Sequence, residues 1–297
     1  MSGKAPPKTS ELDSKLMDGR SLARRIRSAV AEKVGEIRDR TGVTPTLGTV
    51  VVGDDLASHT YVRMKRRRCK DVGIASIARA LPAAATTAEL VAEIESLAND
   101  QTVHAILVQH PVPRPIDRRA VFEAIPIAKD VDGVTAATLG RVILGMPAFI
   151  PCTPRGIMAL LEEYRVDLDG AHAVVIGRSP ILGRPMASLL INRHATVTLC
   201  HSRTRDLPTI VRHADILIAA LGKPKFVQGG WIKPGAVVIG AGYNPGDSGI
   251  IGDVDFDEAI EPCSLITPVP GGVGPMTIAM LIDQTTQAAA TQLGVEL

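Results

Sequence analysis

Leu22, Ile26, Val30, Val34 and Ile37 recur at steps of three or four, so residues about 20–40 are predicted to form a helix with one apolar face. The pattern then changes. LGTVVV (47–52) is a short β-rich run ending at Gly53, as expected of a strand buried on both faces. Ser58 is expected to cap a helix running from Tyr61 to Val72. Thr86 and Glu89 have capping-box spacing ahead of a helix carrying Leu90, Ile94 and Leu97. VHAILV (103–108) is a second buried strand, stopped by the proline-rich QHPVPRP.

Beyond PCTP (151–154) the alternation resumes. Thr153 is expected to cap a helix with Pro154 at its first turn, since proline there forgoes only an N–H that lacks a partner. Strand-like runs follow at 173–177, 196–200, 215–220, 236–240 and 265–267, with a helix expected around Pro185–Arg193 and another from Pro275 to about Leu293. Strands alternating with helices imply parallel βαβ units. The fold class expected is α/β in two domains: an N-terminal α/β domain and a doubly wound, Rossmann-type domain. The final helix is expected to return to the first, giving 1–152 plus 275–297 and 153–274.

Composition narrows the function classes. The chain has 297 residues, 45% hydrophobic and 22% charged, with 33 Lys+Arg against 31 Asp+Glu. That balance gives no electrostatic footprint for nucleic acid or an acidic membrane, and four Phe, three Tyr and one Trp cannot build a base-stacking platform. Cys69, Cys152, Cys200 and Cys263 lie too far apart for a local zinc motif, so reduced, buried thiols in a cytoplasmic protein are expected, with no metal. The leading MSGKAPPKTS lacks the apolar stretch of a signal peptide and reads as a loose tail.

Two stretches carry candidate chemistry. The run AVVIG leads into Gly177-Arg178-Ser179-Pro180-Ile181-Leu182-Gly183, one residue longer than GxGxxG and with Ser179 at the middle glycine position. By itself this is a tight βα turn; with a strand before it and a helix after it, it fits pyrophosphate at a helix N-terminus. The next strand ends in Cys200-His201-Ser202-Arg203-Thr204-Arg205, with no carboxylate before Asp206 for a ribose hydroxyl. Arg178, Ser202 and Arg203 instead suit a 2′-phosphate, which favours NADP over NAD; a solvated basic loop is the alternative. In the first domain Tyr61 and Lys65 share a helix face, but Arg63–Lys70 holds six basic residues in eight and reads equally as a solvated surface.

The segments VVGDDLASHTYVRMK, VQHPVP, KDVDG, PCTPRGI, VVIGRSPILGRP, TLCHSRT, GDVDF and TPVPGGVGPMTIAML occur in this order across about residues 12–290. Together they resemble the bifunctional methylenetetrahydrofolate dehydrogenase/methenyltetrahydrofolate cyclohydrolase family. The resemblance implies a cleft between the two domains, a homodimer, NADP, and a role in one-carbon metabolism and purine biosynthesis. It implies that Tyr61 stacks on the substrate, Lys65 is the key catalytic group, Gln109 contacts it, and Asp132 binds the pterin. Gly271, Gly272 and Pro275 would line the substrate site, and Gly177, Arg178, Ser179, Gly183, Ser202 and Arg203 would bind the cofactor. Without it, Gln109 reads as a strand-end residue and Asp132 with Gly133 as a turn. The basic run would attract polyglutamylated folate. Three positions depart from the family pattern: His110 in place of Leu, Thr138 of Asn and Gly240 of Asp. His110 is otherwise expected to be an exposed strand-end residue.

Overall fold

A computed structural model describes residues 12–246 and 249–297, so the leading tail expected over 1–11 lies outside the described residues. The chain divides into two compact units, one of 12–22 with 153–277 and one of 23–152 with 278–297.

The unit containing 23–152 is built on α1 (Gly19–Thr41, of which 23–41 belong here), β1 (Thr46–Val52), α2 (Leu56–Asp71), β2 (Ala75–Leu81), α3 (Thr87–Asn99) and β3 (Ala105–Val108). The three strands are parallel in the order β2-β1-β3, with Val50 opposite Arg79 and Val108. Every residue of β1 is buried, as its unbroken apolar run predicts for a central strand, whereas β2 is an edge strand with mostly half-buried or exposed residues. Leu90, Ile94 and Leu97 form the buried stripe of α3. The Thr86–Glu89 capping box is present: Glu89 N–H donates to Thr86 Oγ1 and Thr86 N–H to Glu89 Oε2.

The expected cap of α2 needs correction. Asp55 is the N-cap, its Oδ2 accepting the Ser58 N–H at 2.8 Å, and the helix starts at Leu56. A carboxylate there satisfies an orphan amide and faces the positive end of the helix dipole, while Ser58 is buried as the third helical residue.

The unit described above also holds α4 (Arg118–Glu123) and α5 (Ala136–Ile143). The other unit holds α6 (Cys152–Glu163, from Thr153 onward), β4 (His172–Ile176), α7 (Gly183–Ile191), β5 (Thr196–Cys200), α8 (Leu207–Val211), β6 (Ile216–Ala219), β7 (Val237–Gly240), α9 (Phe256–Ala259) and β10 (Leu265–Ile266), with β8 (Asn244–Gly246) and β9 (Gly249–Ile251) forming a small hairpin. The main sheet is wholly parallel, in the order β10-β7-β6-β4-β5. From β4 the chain steps to β5 on one side and then crosses to β6 on the other, so the carboxyl end of β4 is a topological switch point. Val174, Ile176, Leu217, Val238 and Ile266 fill the core of this layer.

Helix α6 begins at Cys152, so Thr153 is its second residue rather than its cap; the Thr153 hydroxyl instead meets Thr277 Oγ1 at 3.1 Å. Residues 12–22 also sit differently from the sequence boundaries. Leu16 bridges to Ile266, Met17 N–H donates to Ile266 O, and Lys15 Nζ donates to Ile260 O and Glu261 O. Backbone pairing with the edge strand β10 gives this segment partners in the nucleotide-type sheet. The last helix, α10, runs Val273–Leu293, and its residues from 278 onward belong with the 23–152 unit.

Candidate active site

On α2, Tyr61 and Lys65 stand one turn apart and half-buried, between the buried Val62 and Cys69. Arg63, Arg66, Arg67 and Lys70 are exposed, and Arg68 pairs with Asp71 at 3.0 Å, so most of the basic run is indeed a solvated face. Lys65 departs from it: its Nζ donates to Gln109 Oε1 at 2.9 Å. Gln109 follows β3, its N–H extends the ladder to Val50 O, and its Nε2 donates to His110 O at 2.6 Å. With the amide nitrogen used this way, its oxygen is left to face the lysine. Burial pushes the Lys65 amine below the usual lysine range, opposed first by the negative charge of Asp132 and then by the neighbouring Cys152 and Cys69. Burial also pushes the Cys69 thiol up to about 12, which keeps it protonated and unreactive.

The segment KDVDG divides its work between its charged residues. Lys129 is buried and its Nζ donates to Ala98 O at 2.7 Å and Asp100 O at 2.9 Å, closing the carboxyl end of α3. Asp130 is fully buried and accepts the N–H groups of Val134 and Thr135, each at 3.0 Å. Burial raises its carboxyl, and those hydrogen bonds oppose the rise. Asp132 alone is half-buried and lies within the electrostatic reach of Lys65. Gln284 of α10 fixes the backbone beside it, donating through Nε2 to Val131 O at 2.6 Å and Ile150 O at 2.9 Å while accepting the Ile150 N–H. Sequence reasoning missed Gln284; the polar run 283–287 directly after the apolar stretch 278–282 of the terminal helix is the signal that was there to read.

The three departures fall in different places. Thr138 is buried and hydrogen-bonded to Thr135, the N-cap of α5. Gly240 ends β7, its N–H donating to Thr267 Oγ1 at 2.8 Å. His110 is not the exposed residue expected: its Nε2 is buried. Because β3 has ended and Gln109 anchors the backbone, the ring turns inward against Phe122, 5.0 Å between centroids.

In the other unit, the turn after β4 is closed by steric need. A side chain at Gly177, whose φ is +124°, would strike Ala220 O, and one at Gly183 would strike Gly177 O. Both therefore require glycine to let α7 approach the sheet end. Ser179 Oγ accepts the N–H groups of Leu182 at 3.2 Å and Gly183 at 3.4 Å, so this hydroxyl serves the turn itself. The loop after β5 is shaped by His201 and Thr204, whose side chains accept the N–H groups of Arg203 and His201. Ser202 and Arg203 project from it exposed, as does Arg178 from the first turn, and neither arginine makes an ion pair among the described residues. Exposed, uncompensated guanidinium groups and a hydroxyl at the carboxyl end of a parallel sheet fit a phosphorylated dinucleotide.

Sequence reasoning also passed over Asp253 in GDVDF. This fully buried carboxylate accepts the N–H groups of Leu221, Gly222 and Lys223 after β6, and Asn244 Nδ2 as well. It shapes the loop at the same carboxyl end of the sheet as the glycine turn. Gly271 and Gly272 are buried and Pro275 half-buried at the start of α10, and Gly272 N–H donates to Pro268 O at 2.8 Å. No helix among the described residues is long and apolar enough to cross a membrane, and no group of three or more His, Cys, Asp or Glu there could hold a metal ion.

A parallel sheet with a glycine turn at its switch point, alongside an α/β unit holding a buried amine against an amide and a carboxylate, defines a two-unit, nucleotide-dependent enzyme. Comparison with known proteins agrees. Residues 17–132 match the catalytic domain, and 151–293 the NAD(P)-binding domain, described for tetrahydrofolate dehydrogenase/cyclohydrolase. Bifunctional protein FolD 1 of Streptomyces avermitilis is 59% identical over 283 residues, covering 95% of this chain and 98% of that one. The solved FolD methylenetetrahydrofolate dehydrogenase/cyclohydrolase of Campylobacter jejuni has a TM-score of 0.91 at 44% identity, covering 93% and 98% of the two chains. That of Trypanosoma brucei, complexed with NADP cofactor and inhibitor, has a TM-score of 0.90 at 38% identity, covering 93% and 97%. The chain belongs to the tetrahydrofolate dehydrogenase/cyclohydrolase family.

Proposed function

We infer that Lys65, Gln109, Tyr61 and Asp132 carry the folate chemistry of this enzyme, which oxidises 5,10-methylenetetrahydrofolate to the methenyl form with NADP⁺ and hydrolyses that product to 10-formyltetrahydrofolate. The observation that supports this assignment above all is the Lys65 amine, its pKa pushed down by burial and held at 2.9 Å from Gln109 within reach of Asp132. The folate would bind the 23–152 unit and NADP the 153–277 unit.

The dehydrogenase step asks little acid–base work of the protein. The substrate's nitrogen lone pair drives loss of hydride from the methylene carbon, so positioning dominates. Bound NADP⁺ supplies the hydride acceptor. Arg178, Ser202 and Arg203 would hold its 2′-phosphate, and Gly177 through Gly183 would admit its pyrophosphate to the amino end of α7. Hydrolysis differs: water adds to the cationic methenyl carbon and loses a proton. The bond from that carbon to the ring nitrogen then breaks as that nitrogen gains a proton and the new hydroxyl releases its own to solvent, leaving the formyl group. Neutral Lys65 is suited to take the proton from water and return one to nitrogen, and the cationic substrate pushes the amine further toward its neutral form. Gln109 would keep the amine in place between the two transfers. Gly271, Gly272 and Pro275 would line the substrate from the glycine loop.

Four buried free cysteines suit a cytoplasmic protein. The exposed arginines of α2 would attract a polyglutamate tail. A homodimer would sediment at twice the chain's mass.

Purified protein should convert methylenetetrahydrofolate with NADP⁺ and release 10-formyltetrahydrofolate. An ionised acceptor opposite the pterin's amino and ring N–H groups makes charge-assisted hydrogen bonds. Asp132→Asn should therefore slow both reactions and weaken folate binding by roughly 1.5–3 kcal/mol, about 10- to 150-fold, while leaving NADP⁺ binding intact. Unchanged folate affinity in a titration would reduce Asp132 to a turn residue.

A further inference from the structure

Asp253 of GDVDF is completely buried, yet the loop it holds has an exposed tip at residues 222–224. Both carboxylate oxygens are used twice. Oδ2 accepts the N–H groups of Leu221 and Gly222, the latter at 3.0 Å, and Oδ1 accepts the Lys223 N–H and Asn244 Nδ2, each at 2.9 Å. Four donors fill the accepting capacity of an ionised carboxylate. The backbone beside it is held as well: Lys225 N–H donates to Gly252 O and Val227 N–H to Asp253 O, both at 2.9 Å. Burying a carboxylate is costly, and an exposed turn can satisfy its amides with water, so folding alone does not call for this residue.

What the carboxylate fixes is the carboxyl end of the main sheet. Its three amides follow β6, and Asn244 follows β7. Ala220, next to the first of those amides, carries the oxygen that a side chain at Gly177 would strike, so the held loop abuts the glycine turn after β4. A Cβ at Gly242, after β7, would overlap the Asp253 carboxylate, so that residue too is fitted to it. A dinucleotide with its pyrophosphate at the β4 switch point and its 2′-phosphate at Arg178, Ser202 and Arg203 occupies the β4–β5 side. The strand order then leaves its other half only the β6–β7 side, where the loops are locked to Asp253.

We propose that Asp253 is a positioning residue of the dinucleotide site, holding the loops after β6 and β7 in the shape that receives the nicotinamide half of the cofactor. This rests on the NADP reading of the 153–277 unit. Being buried, Asp253 acts through the loops and not on the ligand. It therefore serves NADP⁺ and NAD⁺ alike and contributes nothing to adenosine 2′,5′-bisphosphate, which lacks the nicotinamide half.

The test titrates the whole chain and its Asp253→Asn variant with NADP⁺, NAD⁺ and adenosine 2′,5′-bisphosphate. Hydrolysis of methenyltetrahydrofolate, which uses no nicotinamide, is measured beside them. Asparagine keeps the shape but presents an NH₂ group where an oxygen accepted loop amides, so a loop N–H loses its partner. NADP⁺ and NAD⁺ should both bind about tenfold more weakly, while the bisphosphate and the hydrolysis rate stay within about twofold of the parent. Gly242→Ala, whose methyl displaces the same carboxylate without removing a hydrogen-bonding group, should repeat the pattern and carries the test if Asp253→Asn does not fold. NADP⁺ affinity within about twofold of the parent overturns the proposal. So does a loss confined to NADP⁺, and so does an equal loss for the bisphosphate or for hydrolysis, which would make Asp253 a general support of the fold. A parent that binds neither NADP⁺ nor the bisphosphate would overturn the NADP reading itself, whereas a parent that binds both, with unaffected variants, overturns this inference alone.

Discussion

Lys65→Met should cut hydrolysis of methenyltetrahydrofolate by about 10² or more, the usual scale for losing general acid–base assistance, while dehydrogenase activity survives in part. Methionine keeps much of the length and the apolar stem but cannot carry a proton. The two reactions separate because hydride loss is driven by the substrate's own nitrogen, whereas water attack needs an acceptor. The pH dependence offers a second readout. The neutral amine is the active form, so hydrolysis should rise with pH as Lys65 deprotonates, and burial sets that rise below the ordinary lysine range. The rise should vanish in the methionine variant. Assay of both reactions on one preparation decides it: hydrolysis at the parental rate removes Lys65 from the mechanism.

Arg178→Ala should weaken NADP⁺ far more than NAD⁺, by roughly 1–3 kcal/mol, because the variant loses a charge-assisted contact that only the 2′-phosphate can make. Arg178 is exposed and forms no ion pair among the described residues, so its removal strands no buried charge and should leave the melting temperature almost unchanged. Titration of both cofactors against both proteins gives the comparison. Equal loss for NADP⁺ and NAD⁺ would assign Arg178 to the pyrophosphate or to the turn instead of the 2′-phosphate.

The central parallel strands were legible because burial on both faces forces unbroken apolar runs: 47–52 and 173–177 lie within one residue of β1 and β4. Strand β2 escaped notice for the converse reason. ASIARAL lies at a sheet edge, mostly half-exposed, and its β character comes from pairing with β1 rather than from its composition. The starts of α2 and α6 were placed too late because each helix begins before the serine or threonine that local propensity favours, α2 after its cap Asp55 and α6 at Cys152, and only the path of the chain decides where the first turn closes. The glycine turn could be read directly, since steric exclusion at Gly177 and Gly183 leaves one amino acid that fits. The environment of Lys65 could not. That an amine in a basic run is buried against Gln109, while its neighbours are solvated, depends on contacts 44 residues apart in sequence. Asp130 and Asp132 look alike in KDVDG, and only burial separates the acid that holds the loop from the acid left free to face a ligand.

The interleaving of the two units bears on the order in which the chain is made. Residues 12–22 and 153–277 form one unit, and every part of it has been synthesised before residue 278. The other unit begins earlier, at residue 23, yet waits for 278–297, because Gln284 ties down Val131 and Ile150 and Gln292 Nε2 donates to His104 O and Ala128 O. The nucleotide unit is therefore expected to acquire protease resistance first on the ribosome, although more than a hundred residues of its neighbour precede most of it. Nascent chains arrested with residue 277 clear of the exit tunnel should protect the 153–277 region and leave 23–152 open to cleavage. Simultaneous protection of both regions would mean that the folate unit closes without its last helix.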